Sequence, residues 1–342
     1  MNVLLIGFGN VGQGLISILK DKRNALREQY QFTPRIVGVV TRSRGTLYSI
    51  DGLDLDVLLQ NVETGSLDNY PDSPDLRRDL DATSLIQQPD VDVVIEASPS
   101  NFETGQPALD LCYAALDAGK HLILANKGPV AVDYAGLQRR AALQGCGFYF
   151  EGTVMAGTPS IRLAMEALAG CTITRVRGIL NGTTNYILTQ MENGLSYADA
   201  LQQAQALGYA ETDPTADVDG WDAAGKLMIL SAALFSIKPN LKDMSVSGIS
   251  KITLEDVRAA QVAGERWKLI AEGIPTGASV RAIRLPLTDP LTGVAGATNA
   301  ITYTTDLMGD ITLIGAGAGR VQTGFALLSD LLAIHQRFTN QQ

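Results

Sequence analysis

The 342-residue sequence has few of the residue types on which many catalytic and metal sites depend. Its three cysteines, Cys112, Cys146 and Cys171, are an odd number without CxxC spacing, which argues against a disulfide framework and a thiolate zinc site. The only two histidines are His121, which begins an apolar segment, and His335, and neither is expected to be catalytic. Because the HExxH and Gly-x-Ser-x-Gly motifs are also missing, the common hydrolase mechanisms lose support.

Long apolar runs and an excess of positive charge are missing as well. No stretch approaches the roughly 18 apolar residues that cross a bilayer, and Val3–Ile6 is stopped by glycines without the flanks of a signal peptide. Lys and Arg number 27 against 36 Asp and Glu, a formal charge of −9 that disfavours binding to a phosphate backbone. We therefore expect a cytoplasmic protein with neither a membrane nor a nucleic acid as partner.

The length and the segment pattern predict two α/β domains. A chain of 342 residues exceeds what one hydrophobic core usually serves, and the pattern of segments changes near residue 151. We expect residues 1–150 to form an N-terminal Rossmann-type parallel sheet that binds a dinucleotide, and residues 151–305 to form an α+β catalytic and dimerisation domain. Residues 306–342 are expected to return and pack on the first domain.

A glycine-rich turn stands where a dinucleotide would bind. The apolar segment Val3–Ile6 is followed at once by GFGNVG and then by a helical pattern. In such a turn the first glycine permits the tight bend, the second lets a pyrophosphate approach, and the third allows close packing of helix on strand. The predicted cofactor-binding residues here are Gly7, Phe8, Gly9, Asn10, Val11 and Gly12.

The end of the second predicted strand bears on cofactor choice. Ile36–Val40 leads into Thr41-Arg42-Ser43-Arg44, where a site that prefers NAD usually has an acid for the ribose hydroxyls. A guanidinium can pair with a 2′-phosphate, although loop arginines are often only solvated. The sequence thus favours NADP, with NAD possible, and Arg42 as a contact.

Further predicted strands place two more polar residues at the cofactor edge. Val91–Ile95 and His121–Leu124 alternate with a helix, which indicates a parallel sheet whose ligands lie beyond the carboxyl ends of the strands. Ser98 and Lys127 directly follow these strands. In the second half, strands near 278–287 and 301–305 predict an antiparallel sheet that would suit a homodimer.

The segment Gly208–Lys226 concentrates acidic residues at the start of a helix. Asp222 and Lys226 are four residues apart and share a helix face, which on a surface is an ordinary ion pair. Because the apolar run Leu227–Phe235 follows, the helix is predicted to be buried. A charged pair that enters a buried helix indicates chemistry, whereas turn formation and capping account for Asp213, Asp217 and Asp219.

These residues suit hydride transfer between a nicotinamide and a carbonyl group. Reduction turns the carbonyl into an alkoxide, which needs a proton donor. Lys226 can give that proton, Asp222 can orient its ammonium, Glu211 can hold a substrate amine, and Lys127 can add a second positive charge. The helix start at Asn181 is either a carboxylate site or a simple N-cap, and the motif leaves both open.

Six ordered motifs together resemble the homoserine dehydrogenase family over nearly the whole chain. They are GFGNVG, ANKGPVA, EGTVMAGTP, GILNGTTNYIL, GYAETDPTADVDGWDAAGK and GAGAG. The resemblance implies interconversion of L-aspartate 4-semialdehyde and L-homoserine with NAD(P), on the route to threonine and methionine. It also implies a short enzyme without the C-terminal domain that senses threonine.

The same resemblance assigns roles to individual residues. Lys226 becomes the proton donor or acceptor, Glu211 and Asp222 substrate-site carboxylates, and Lys127 a contact of both cofactor and substrate. The further residues carried over are Gly208 for the substrate, Ser98 and Gly319 for the cofactor, and Glu151, Val154, Ala156 and Thr158 for a monovalent cation, usually sodium. Met155 is bulky for this cation loop, and so departs from the family's small residues.

Two other functions fit parts of the pattern. One is a different NAD(P)-dependent amino-acid oxidoreductase, such as an aspartate dehydrogenase, in which the hydride goes to an imine. The other is a non-catalytic NADP-binding sensor that keeps the fold and the glycine turn. The presence of Glu211, Asp222 and Lys226 together argues against the sensor.

Overall fold

The computed structural model describes residues 1–63, 65–237, 241 and 244–339. The chain divides into two compact units, Met1–Gly157 with Gly319–Gln342, and Thr158–Ala318. Among the described helices, none has both the length and the apolar character needed to cross a membrane. Pro239, which the predicted buried helix soon meets along the chain, lies outside the described residues.

A largely parallel sheet forms the centre of the first unit. Its described strands are β1 (Asn2–Ile6), β2 (Arg35–Val40), β3 (Thr46–Tyr48), β4 (Val93–Glu96), β5 (His121–Leu124) and β6 (Phe148–Tyr149). Their spatial order is β3-β2-β1-β4-β5-β6, and only the pairing of β3 with β2 is antiparallel among the pairs described. The order reverses direction between β1 and β4, the point where open α/β sheets bind ligands. The Rossmann-type sheet expected from the sequence is confirmed.

Helices pack on this sheet, and the first of them begins at the glycine turn. They are α1 (Asn10–Asp21), α2 (Arg23–Tyr30), α3 (Leu55–Glu63), α4 (Ala82–Ile86), α5 (Ala108–Asp117) and α6 (Lys127–Gln144). Helix α6 begins seven residues before the Tyr134 start expected from the sequence, because Asn126 caps it and accepts a bond from the Gly128 amide. Its backbone leaves helical geometry at Asp133, and this kink interrupts the helical sequence pattern just before Tyr134.

The chain returns to the first unit as a last helix, α13 (Arg320–Thr339). Its buried residues Leu327, Leu328, Leu331 and Ile334 belong to the same apolar core as the strands of the sheet. Helix α13 crosses α1 closely, since a Cβ on Gly14 would lie 2.0 Å from the carbonyl oxygen of Arg320. The crossing therefore requires glycine at position 14.

The second unit is built on a mainly antiparallel sheet. Its described strands are β7 (Ile173–Ile179), β8 (Ser245–Ser247), β9 (Glu265–Ile274), β10 (Gly277–Pro286), β11 (Thr298–Thr305) and β12 (Gly309–Ala316). The order is β12-β11-β7-β9-β10-β8. The predicted antiparallel sheet is confirmed except at one edge, where the short strand β8 runs parallel to β10. A buried lysine, Lys268 on β9, donates to the Asn185 side chain at 3.1 Å and to the Val294 carbonyl at 2.7 Å.

Helices of the second unit include the buried one that the sequence predicts. They are α7 (Ser160–Arg162), α8 (Gly182–Glu192), α9 (Tyr197–Ala206), α10 (Thr215–Val218), α11 (Trp221–Phe235) and α12 (Leu254–Val262), and α7 continues as a π-helical segment, Leu163–Ala167. Helix α11 is buried from Ala223 to Ala232, and a Cβ on Gly273 of β9 would lie 3.2 Å from its Leu227 and Ser231 side chains. Burial of this face, not helix propensity, fixes the position of Lys226.

Candidate active site

The glycine turn after β1 has the shape that a dinucleotide phosphate requires. Gly7 has φ +95°, and a Cβ there would lie 2.6 Å from the backbone of Ala97, so only glycine fits. A Cβ on Gly9 would meet nothing within 4 Å, and Gly9 and Asn10 are exposed. Behind this open side, α1 begins at Asn10, with its first amides available to an anion. The residues at this turn therefore fit a pyrophosphate.

The loop after β2 brings one arginine to the turn and leaves another in solvent. The Arg44 guanidinium donates to the Phe8 carbonyl at 2.8 Å, and the same oxygen accepts from the Gln13 side chain at 3.2 Å. Arg44 thus stands beside the glycine turn, while Arg42, the predicted contact, is exposed.

Ser98 and Lys127 follow neighbouring strands, as the sequence predicts, and Asn126 connects their loops. Its side chain donates to the Ser98 hydroxyl at 3.2 Å and to the Pro99 carbonyl at 3.3 Å. Beneath them, the fully buried Glu96 accepts a bond from the Ser98 amide at 3.1 Å, and burial raises the pKa of its carboxyl. Lys127 is the first residue of α6 and half-buried, with its amide bonded to the Ser100 side chain at 2.9 Å.

Two further predicted segments differ in exposure. Gly319 is exposed with φ +132° and comes directly before α13, where its carbonyl accepts from the Thr323 amide at 2.9 Å. Glu151 is buried, and its amide donates to Asp330 at 3.1 Å. After the buried Val154, Met155 and Ala156 have φ of +57° and +50°.

Two successive left-handed residues without glycine are an uncommon backbone arrangement. Met155, the bulky residue by which the sequence departs from the expected cation loop, is buried in this turn. In the second unit, the Thr158 hydroxyl donates to the Ala316 carbonyl at 2.9 Å. The carbonyls of Val154 and Ala156 and the Glu151 carboxylate are hard oxygen donors, a chemistry that suits a monovalent cation.

A buried polar cluster of the second unit surrounds Lys226. The Lys226 ammonium donates to the Asp222 carboxylate at 2.7 Å and to the Leu180 carbonyl at 2.7 Å. Its side chain is 9% exposed and that of Asp222 is 20% exposed. The structure thus brings the predicted pair together at a helix entrance, where the ammonium is fixed by two acceptors and has one N–H left for a ligand.

Asn181 and Asp217 join this arrangement, although the sequence did not assign them to it. The Asn181 amide nitrogen donates to Asp217 at 2.7 Å and to Asp222 at 3.0 Å. Burial raises the pKa of Asp217, the Asn181 hydrogen bond lowers it, and the charge of Asp222 raises it. Asp217 therefore does more than shape a turn, because it shares a hydrogen-bond donor with the predicted catalytic pair.

Gly208 and Glu211 lie on an exposed turn after α9. Gly208 has φ +73°, which favours glycine, and Glu211 is exposed. The Thr183 hydroxyl donates to the Tyr209 carbonyl at 2.6 Å, so the turn is attached to the start of α8. That attachment places the turn in the same unit and next to the helix start that Asn181 caps.

The sequence carried partial signals for the residues that it missed. Asn181 reads as an N-cap, and the structure confirms that it caps α8 by accepting from the Thr184 amide at 2.9 Å. Its second role, toward Asp217 and Asp222, depends on contacts 36 and 41 residues away along the chain. Arg42 and Arg44 are both candidates for a 2′-phosphate contact, and which of them faces the glycine turn depends on the direction of the loop, which has no sequence signature.

Comparison with known proteins identifies relatives for both parts of the chain. Residues 7–151 match the family model described as homoserine dehydrogenase, NAD binding domain, and residues 159–332 match the model described as homoserine dehydrogenase. An NAD(+)-dependent homoserine dehydrogenase from Pseudomonas canavaninivorans is 42% identical, over 99% of this chain and 97% of that protein.

Solved structures agree with these matches. A putative homoserine dehydrogenase from Archaeoglobus fulgidus superposes with a TM-score of 0.86 at 36% identity, covering 98% of this chain and 99% of that one. A hyperthermophilic archaeal homoserine dehydrogenase mutant in complex with NADPH gives a TM-score of 0.84 at 29% identity, covering 100% of this chain and 99% of that one. Because both superpositions cover nearly the whole of this chain, the similarity includes both units.

Proposed function

The chain belongs to the homoserine dehydrogenase family, an NAD(P)-dependent oxidoreductase family, and we propose that Lys226 is its proton donor and acceptor. The reaction interconverts L-aspartate 4-semialdehyde and L-homoserine. The observation that carries the proposal is the buried Lys226 ammonium, fixed by Asp222 and by the Leu180 carbonyl.

Lys226 serves both directions of the reaction by moving one proton. When bound, the nicotinamide supplies or accepts the hydride at the carbon that bears the substrate oxygen. During reduction the Lys226 ammonium polarises the aldehyde oxygen and gives its proton to the alkoxide that forms. During oxidation the neutral amine takes the hydroxyl proton of homoserine. Asp222 keeps the side chain aimed in both states, since it accepts from Nζ at 2.7 Å.

The amino-acid part of the substrate requires groups of both charges. We assign Glu211 to the substrate ammonium, Lys127 to a substrate oxygen near the cofactor, and Gly208 to the backbone of the substrate site. The exposure of Glu211 and the left-handed backbone of Gly208 support these assignments. Glu211, Lys127 and Gly208 would thus bind the substrate, while Lys226 transfers the proton.

For the cofactor we propose NADP, with NAD as an alternative. The glycine turn Gly7–Gly12 would hold the pyrophosphate, while Ser98, Lys127 and Gly319 would contact the rest. The arginines after β2 support a 2′-phosphate, and the contact of Arg44 with the Phe8 carbonyl supports it as a second contact beside Arg42. One relative is named NAD(+)-dependent and one structure contains NADPH, so the family includes proteins of both descriptions.

We also propose a monovalent cation, sodium by family resemblance, on Glu151, Val154, Ala156 and Thr158. The left-handed backbone of Met155 and Ala156 supports a specialised loop. The cation would steady this loop and take no part in proton or hydride transfer. Titration of cation-free enzyme with NaCl, at constant ionic strength with a tetramethylammonium salt, should raise activity to a plateau; a flat titration would contradict the site.

A homodimer and a cytoplasmic location complete the proposal. Strand β12 is an edge of its sheet, and Ile314 on it is 54% exposed, while Leu307 and Met308 in the adjoining turn are 70% and 62% exposed. An apolar edge of this kind suits pairing with a second copy. Light scattering should give twice the chain mass, and Ile314→Lys should shift it toward a single chain.

The decisive experiment measures turnover of the Lys226→Ala variant. NADPH absorbance is followed with aspartate semialdehyde, and NADP reduction with L-homoserine. We expect a loss of at least about 100-fold in both directions, because general acid–base catalysis typically contributes that much. A circular dichroism spectrum and a nucleotide affinity equal to those of the unaltered protein are the controls. Undiminished turnover would refute the role of Lys226 while leaving the family membership intact.

A further inference from the structure

One amide connects both acidic residues beside Lys226. Asn181 is 4% exposed, and its side-chain Nδ2 donates to Asp217 Oδ1 at 2.7 Å and to Asp222 Oδ2 at 3.0 Å. The same Asp222 oxygen accepts from Lys226 Nζ at 2.7 Å. Asp222 Oδ2 therefore has two donors, one from the cap of α8 and one from its own helix.

The orientation of this amide is determined at its other end. Asn181 Oδ1 accepts from the Thr184 backbone amide at 2.9 Å and from the Thr184 hydroxyl at 3.0 Å. Rotation of the amide by 180° would remove the cap and turn its oxygen toward two carboxylates. The nitrogen therefore has to face Asp217 and Asp222.

Helix capping alone does not require asparagine at this position. Serine, threonine and aspartate cap helices about as well, because each offers a side-chain oxygen to the same amides. Unlike these three residues, asparagine also offers an N–H group on the opposite side of its side chain. The choice of residue thus matches a second task, which is to hold the two carboxylates.

We propose that Asn181 is a positioning residue for the proton-transfer pair, so that the cap of α8 sets the direction of the Lys226 ammonium. The proposal rests on the proposed role of Lys226 and deepens it. Leu180, the residue before Asn181, accepts from Lys226 Nζ at 2.7 Å, and so one short segment holds both members of the pair. Two N–H groups of the ammonium are thereby directed, which leaves the third for the substrate oxygen.

Removing the amide donor should also alter the charge balance of the cluster. The charged groups that act on the Asp217 carboxyl are Asp222, which raises its pKa, and Lys226, which lowers it. The Asn181 hydrogen bond lowers this pKa as well, because it stabilises the ionised form. Without that bond the carboxyl takes up a proton at a higher pH, and the acid limb of the pH–rate profile should move upward.

The test compares two substitutions that keep the cap. Asn181→Ser retains an N-cap oxygen without the donor, and Asn181→Asp retains size and cap while it adds a third carboxylate. Turnover of L-homoserine is measured with saturating NADP between pH 6 and 10. For Asn181→Ser we expect about a 10- to 100-fold loss in kcat with KM within about 3-fold, as for a misplaced catalytic group. Asn181→Asp should lose more.

Controls separate positioning from capping. Ser196→Ala removes the cap of α9, where the Ser196 hydroxyl accepts from the Asp199 amide at 3.2 Å, in the same unit. This control should lower the thermal midpoint without moving the acid limb. A wild-type kcat in Asn181→Ser, or a loss in kcat with an unmoved acid limb, would overturn the positioning role. After such a result, the Lys226→Ala variant in the same assay separates the two proposals. If Lys226→Ala is inactive, only the inference about Asn181 fails; if it is active, the proposed role of Lys226 fails as well.

Discussion

The Asp222–Lys226 pair allows a quantitative test of how burial shapes the proton-transfer group. Its atoms are 2.7 Å apart, with the lysine side chain 9% exposed and the aspartate side chain 20% exposed. Coulomb attraction at an effective dielectric constant of about 20 amounts to about 6 kcal/mol at this distance. Desolvation costs several kcal/mol per ion and offsets most of it. We therefore expect a net coupling of about 2 kcal/mol.

The two single substitutions should differ, because one partner is more buried than the other. Asp222→Asn leaves the more buried ammonium without an anion and should lower the free energy of unfolding by about 3 kcal/mol. Lys226→Met leaves a carboxylate that is more exposed and still accepts from Asn181 at 3.0 Å, so we expect about 1 kcal/mol. The double variant should cost about 2 kcal/mol, which gives the expected coupling.

Urea unfolding of the four proteins measures these values in a double-mutant cycle. The slope against urea must stay constant for the comparison to hold. Equal costs of the two single variants, or a coupling below about 0.5 kcal/mol, would show that the pair behaves like an exposed surface pair. The account of Lys226 as a buried, fixed ammonium would then be wrong.

Three further predictions follow from other described contacts. Gly7→Ala should unfold at markedly lower urea because its Cβ would lie 2.6 Å from Ala97, whereas Gly9→Ala should keep its stability and bind NADPH more weakly in a fluorescence titration. Arg44→Ala should raise KM for NADPH several-fold more than KM for NADH; equal changes would exclude a 2′-phosphate contact. Burial lowers the pKa of Lys268 below its ordinary value of 10.5. Between the lowered pKa and 10.5, the unfolded chain binds a proton that the folded chain does not. The free energy of unfolding should therefore rise with pH, by up to about 1.4 kcal/mol per pH unit. Urea unfolding between pH 7 and 10 should lose this slope in Lys268→Met; an unchanged slope would assign it to other groups.

Local patterns were enough to predict the elements that hold the site. The glycine turn, the strand His121–Leu124 and the buried helix from Trp221 each have a short-range signal, in glycine spacing or apolar periodicity. Helix α6 shows the limit, because its first turn is specified by the cap at Asn126 and its pattern is broken by the kink at Asp133. The parallel edge strand β8 carries too few residues to show a period.

Residues that act across the chain were harder to find. In sequence, Asn181 stands next only to the helix α8 that it caps, while its carboxylate partners Asp217 and Asp222 belong to two other helices, α10 and α11. A single sequence gives each of them a sufficient local explanation, as cap, turn former or surface pair. Three-dimensional contact is what separates these roles, and no spacing rule contains it.

The return of α13 has a consequence for how the protein is made. The first unit lacks Leu327, Leu331 and Ile334 of its core until this last helix leaves the ribosome, whereas Thr158–Ala318 has emerged by then. The second unit can therefore finish folding first, and the first unit must close contacts of very long sequence separation, which slows folding. The start of α13 packs against α1 at Gly14, so the helix that follows the glycine turn completes its packing only when α13 arrives.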